Sequence, residues 1–100
     1  MQQQMIDEAA KMLKAIGNAK RLEILYVLAE KELNVGELEK IIGLSQSALS
    51  QHLAVLRVEN LVKTRRVAQT IFYSIQNRKI YDVLAMLKQL FGSREAKTRE

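Results

Sequence analysis

The chain has no cysteine, no proline and no tryptophan, only four glycines, and a single histidine in 100 residues. Without cysteine it forms no disulfide, offers no thiolate to a metal and cannot sense redox state through a thiol. Without proline and with little glycine, long helices are favoured over a loop-rich fold. No apolar run is long enough to span a bilayer. Residues 1–16 carry Asp7, Glu8, Lys11 and Lys14, unlike a signal peptide. A soluble, intracellular protein is expected. An enzyme would need a nucleophile, an acid–base pair or a metal in a pocket. One histidine, no cysteine and no glycine-rich phosphate loop argue against that class.

What is present is a chain that is 48% apolar with a net charge of +5. That is enough apolar surface for one small domain. The charge is not spread evenly. Residues 1–44 hold six bases and seven acids, whereas residues 45–79 hold six bases against Glu59 alone. A basic stretch of this kind is the electrostatic footprint of a polyanion-binding surface.

Apolar spacing predicts helices over 3–16 (Ile6, Ala9, Met12, Leu13, Ile16) and 19–31 (Leu22, Ile24, Leu25, Leu28), the second capped by Asn18. After a Lys31–Leu33 link, Asn34 and Glu37 have the spacing of a capping box. The third helix should then bury Val35, Leu38, Ile41 and Ile42. Gly43 can close it in the left-handed conformation, and Ser45 can cap a fourth helix running to Glu59. The period then changes. Residues 61–66 and 70–75 are rich in Val, Ile, Thr, Phe and Tyr and predict a hairpin linked by Val67–Gln69. Asn77 can cap a last helix over 78–92. Residues 93–100 read as a charged flexible tail after a single domain of residues 1–92.

Gly43 to Leu53 has the character of the turn and second helix of a helix-turn-helix. The fourth helix sets Leu49, Leu53 and Leu56 on one face and Gln46, Ser47, Ser50 and Gln51 on another. Amide and hydroxyl side chains on an exposed helix can meet base edges in the DNA major groove. Followed by a basic hairpin, this is a winged helix-turn-helix, mainly α, in the order four helices, two strands, one helix. Arg65 and Arg66 are expected at the wing tip, with Gln69 beside them, and arginine suits a narrow minor groove. Arg57, Lys20 and Arg21 are candidate phosphate contacts. Ser45 is read chiefly as the cap, with its helix terminus able to face a phosphate. His52 has two open readings, a phosphate contact or a structural hydrogen bond beneath the helix.

Four stretches together resemble the ArsR-type (ArsR/SmtB) winged-helix repressors of bacteria: Asn18–Leu22, Val35–Leu38, Leu44–Leu53 and Thr64–Tyr73. The resemblance spans about residues 10–91. Within that family the likeness is to the branch of nodulation, haemolysin and biofilm regulators. It implies a homodimer joined through residues 3–16 and 78–92 on an inverted-repeat operator in double-stranded DNA. The two helices agree with this, having more apolar surface than one small domain needs. Metal-sensing relatives carry cysteine in the region of Asn34 to Gly36, or Asp and His ligands in the last helix. Here Asp82 stands with no His or Glu at a useful spacing. Redox-sensing relatives use two cysteines, whose places Tyr26 and Gly92 take. The resemblance therefore implies a cytoplasmic, nucleoid-associated repressor with no cofactor and no metal or thiol sensing. An anti-silencing activator that displaces another DNA-binding protein, or a protein-interaction module on the same scaffold, are the alternatives.

Overall fold

The computed structural model describes residues 2–92; the expected tail over 93–100 lies outside them. The elements are α1 (Gln3–Ile16), α2 (Ala19–Glu30), β1 (Leu33–Asn34), α3 (Val35–Ile42), α4 (Gln46–Val58), β2 (Val62–Val67), β3 (Thr70–Ile75) and α5 (Lys79–Leu87), extended by a π-helical turn over Lys88–Gly92. This is the expected winged helix-turn-helix, with one strand more than the sequence predicts. Leu33 and Asn34 pair antiparallel with Tyr73 and Phe72, so the wing is a three-stranded sheet in the order β1-β3-β2. Two residues are too few to show a period of two, which is why the sequence reads them as a link.

Caps set the helix starts. The Asn18 side chain accepts from Lys20 N at 2.9 Å and Arg21 N at 3.1 Å. The capping box forms: Glu37 N donates to Asn34 Oδ1 at 2.8 Å, and Asn34 N donates to Glu37 Oε1 at 2.9 Å. Gly43, at φ +76°, ends α3 and donates to the Glu39 carbonyl. At the end of α4, Asn60 takes φ +59° and Leu61 N donates back to the Leu56 carbonyl. This six-to-one bond closes the helix and brings two buried leucines together.

The core is one cluster. Ile24, Leu25 and Leu28 of α2 meet Leu38 and Ile42 of α3, Leu49, Leu53 and Leu56 of α4, and Ile80 and Leu84 of α5. Each fully buried leucine or isoleucine contributes about 1.5–3 kcal/mol. The α4 leucines therefore hold the helix from below and free its other face. Tyr26 Oη donates to the Leu84 carbonyl at 3.0 Å, tying α2 to α5 just before the helix widens into its π turn. Ile41 corrects an expectation: it is 49% exposed, because the buried stripe of α3 runs through Leu38 and Ile42.

The wing turns through Ala68 and Gln69, between the paired residues Val67 and Thr70. Ala68 sits at φ +56°, a region that costs an L-residue about 1–2 kcal/mol and costs glycine little. Ala68→Gly should therefore raise stability by about 0.5–1 kcal/mol after the greater chain entropy of glycine is subtracted. Urea denaturation checks this; a lower midpoint would show that the turn is unstrained.

Candidate nucleic-acid interface

The α4 helix presents its polar face as the sequence predicts. Leu49, Leu53 and Leu56 are buried, while Gln46, Ser47, Ser50, Gln51 and Arg57 are exposed. Ser45 Oγ accepts from Ala48 N at 3.3 Å and lies 3.5 Å from Ser47 Oγ, so Ser45 caps the helix that carries the other candidates. Capping leaves the helix N-terminus outside the core, where its partial positive charge faces outward.

A groove of about 430 Å³ separates α4 from the wing. Gln46 lines one side and Gln69, Thr70 and Ile71 the other, with Asn34, Val35 and Gly36 at its end. None of these seven residues is charged. The structure thus brings Gln46 and Gln69, 23 positions apart in the chain, to one surface. Asn34, Gly36 and Thr70 are groove residues that the sequence reading did not select. Their local signals, a cap and a strand, concealed their position at the groove.

The two wing arginines do not share a role. Successive strand residues face opposite sides of a sheet, and the register pairs Arg65 with Phe72 and Arg66 with Ile71. Arg66 therefore lies on the side of Ile71, and its Nε donates to the Ala68 carbonyl at the turn. Arg65 lies on the other side and is not at the tip, correcting the expectation. Its Nε and Nη2 donate to the Glu32 carboxylate at 3.0 and 2.7 Å, and its guanidinium lies 4.9 Å above the Phe72 ring. Arg65 thus fastens the wing to the end of α2. Nothing local in the sequence couples residues 32 and 65.

The hydrogen bond from Arg65 holds the Glu32 carboxyl below its ordinary value of 4.5 against desolvation, the next-largest effect, with the charges of Arg65 and Lys63 adding to the lowering. The same pairing raises the Arg65 guanidinium above its ordinary value. Because the folded carboxyl is depressed, the pair's stabilising contribution is present above about pH 4.5 and is lost as pH falls through the lowered value. Carboxyl NMR should give Glu32 a midpoint below 4.5, and Arg65→Gln should return it upward. An unshifted midpoint in the parent protein would show that the pair does not persist in solution.

Arg21 and His52 are also placed differently from the simplest expectation. Arg21 Nε donates to the Ala15 carbonyl at 2.6 Å, Nη2 to the Lys14 carbonyl at 3.5 Å, and Nη1 to His52 Nδ1 at 3.2 Å. Arginine has only donors, so in this hydrogen bond His52 Nδ1 is the acceptor. His52 makes the structural hydrogen bond, and Arg21 turns inward to join the end of α1 to α4 rather than outward to a phosphate. Lys20 Nζ reaches the Ile42 carbonyl at 3.3 Å and Glu23 at 3.6 Å, beside the turn between α3 and α4.

A second surface is apolar. Leu13 of α1 is 62% exposed, and Met86, Leu90 and Phe91 are exposed at the far end of the chain. Between α1, the start of α2 and α5 lies a depression of about 390 Å³ lined by Leu13, Ile16, Leu22, Val83, Met86 and Leu87, among others. Tyr26, at a place where the resemblance puts a sensing thiol in other members, carries the hydroxyl bonded to Leu84. Among the described residues, no three His, Asp or Glu side chains are grouped to hold a metal ion, and none of the helices is long and apolar enough to cross a membrane.

Comparison with known proteins agrees with this geometry. The pattern of the family described as bacterial regulatory protein, arsR family, matches residues 18–64. The chain is 48% identical over 84 residues to the transcriptional activator HlyU of Vibrio cholerae, covering 84% of this chain and 78% of that protein. It is 51% identical over 84 residues to the nodulation protein NolR of Rhizobium meliloti, covering 84% and 69%. The structure of HlyU from Vibrio cholerae superposes with a TM-score of 0.85 over 90% of this chain and 98% of that one, at 44% identity. The transcriptional repressor BigR from Xylella fastidiosa superposes with a TM-score of 0.82 over 91% and 97%, at 37% identity. The chain belongs to the arsR family of bacterial regulatory proteins and is a DNA-binding transcription regulator of the winged helix-turn-helix type.

Proposed function

We propose that the chain acts as a homodimer that represses transcription by occupying an inverted-repeat operator. The observation that carries this is the exposed polar face of α4 beside a wing whose Arg66 and Gln69 stand at the turn. Gln46, Ser47, Ser50 and Gln51 meet base edges in the major groove, and Arg57, Lys20 and Arg66 meet phosphates or the neighbouring minor groove. Dimerisation is supported by the exposed apolar side chains of α1 and of the segment after α5, which water alone covers in a single copy. Two copies related by a two-fold axis read two half-sites and gain affinity that one helix alone lacks.

The protein works by binding, within the cytoplasm on nucleoid DNA. It does so without thiol sensing, for want of cysteine, and without metal sensing, its one histidine being engaged by Arg21. Selection of bound sequences from a random duplex pool at near-physiological salt tests the proposal. An enriched inverted repeat with half-sites about one helical turn apart is expected. A folded protein that enriches no sequence would refute it.

The name of HlyU, a transcriptional activator, supports a second reading in which the same occupancy relieves silencing. Transcription with purified polymerase on the selected promoter separates them. Repression lowers the transcript directly, whereas anti-silencing changes it only when a competing DNA-binding protein is present.

A further inference from the structure

The outermost line of α4 changes character along its length. Opposite the buried Leu49, Leu53 and Leu56, it runs Ser47, Gln51, Ala54, Val58, at steps of four, three and four residues. Its first half is polar and its second half apolar. Val58 is 75% exposed, the most exposed large apolar side chain among the described residues. Ala54, Arg57 and Val58 line a shallow hollow of about 330 Å³ on the helix surface. Ala54 and Val58 thus set apolar surface on the outer face of a DNA-reading helix, next along the line from Ser47 and Gln51, where an apolar feature of DNA can cover it.

The major groove offers one such feature, the 5-methyl group of thymine; every other base edge there presents only donors and acceptors. We propose that Ala54, backed by Val58, is a specificity-determining residue that recognises a thymine through that methyl group. The inference rests on the DNA-binding reading above and extends it to a base. Ala54 stands one turn beyond Ser50 and Gln51, so its base pair adjoins those they meet. Its single methyl lets the helix lie close to the groove floor, where a longer side chain would lift Gln51 from the base edge. Arg57, on the rim of the hollow, supplies the cation for the flanking phosphate. A carboxamide or hydroxyl at position 54 would instead read a donor or acceptor.

The test begins with the site selected from random duplexes. Each of its thymines is replaced singly by deoxyuridine, which removes only the methyl group. Affinities of the parent protein, Ala54→Gly and Ala54→Ser are then measured by fluorescence anisotropy. At one position in each half-site, loss of the methyl should weaken the parent about fourfold and leave Ala54→Gly almost unaffected. Ala54→Ser, which disturbs the helix little, should no longer select thymine there. A selected site in which no thymine shows an Ala54-dependent methyl effect would overturn this inference alone, leaving sequence-specific binding intact. Absence of any selected site would overturn both.

Discussion

Leu13→Asp should separate the protomers and lower operator affinity by about a hundredfold or more, while each protomer remains folded. Leu13 is 62% exposed in the single chain, so aspartate there meets water and costs the monomer little. Across a two-fold interface the same carboxylate would be buried without a partner, at a cost of several kcal/mol, about the scale on which small dimers are held. The lost affinity follows from the lost second half-site, since linking two modest contacts multiplies affinity by about 10²–10⁴. Leu87 would be a poorer choice, because it is half-buried and a charge there confounds unfolding with dissociation. Sedimentation equilibrium, with circular dichroism to confirm helicity, checks the result. A folded dimer of Leu13→Asp would show that α1 is not the interface.

Gln46→Ala should cost about 1–3 kcal/mol per half-site on the selected operator and almost nothing on random DNA. Gln46 opens α4, is exposed, and lines the groove facing Gln69. Its carboxamide offers a donor and an acceptor together, the pair that an adenine edge requires. The salt dependence should not change, because no phosphate charge is neutralised. Arg66→Ala should behave in the opposite sense, weakening both DNAs alike and flattening the salt slope by about one ion per protomer. Equal weakening of Gln46→Ala on both duplexes would place Gln46 on the backbone and not on a base. The pair of variants thus separates reading from attraction on one surface.

Much of this architecture was legible before any coordinates. Helices α1 and α2 begin where the apolar period begins and stop within a residue of the expected ends, because Asn18, Gly17 and the change of pattern punctuate them. The capping box at Asn34, the left-handed Gly43 and the Ser45 cap are local devices, each set by residues no more than four apart. The same holds for the polar and leucine faces of α4, which follow from helical spacing alone. Strand β3 was legible for the reason that β-branched and aromatic residues cluster there.

Side-chain partners were a different matter. The two adjacent arginines of the wing look equivalent in sequence; hairpin register puts them on opposite faces, Arg66 folding onto the Ala68 carbonyl at the turn and Arg65 pairing with Glu32, 33 positions away. His52 had two open roles until packing brought Arg21 against it across 31 positions. Leu33 and Asn34 became a strand only because β3 supplied an edge to pair with. The sequence by itself determined the helices, the hairpin strands, their caps, the basic second half and the exclusion of thiol chemistry, since backbone preference, periodicity and composition act over a few residues. The tertiary structure alone decided which cations hold the wing and the helices together, Arg65 through Glu32 and Arg21 through Ala15 and His52. Those assignments depend on distances between residues far apart in the chain, which only packing fixes.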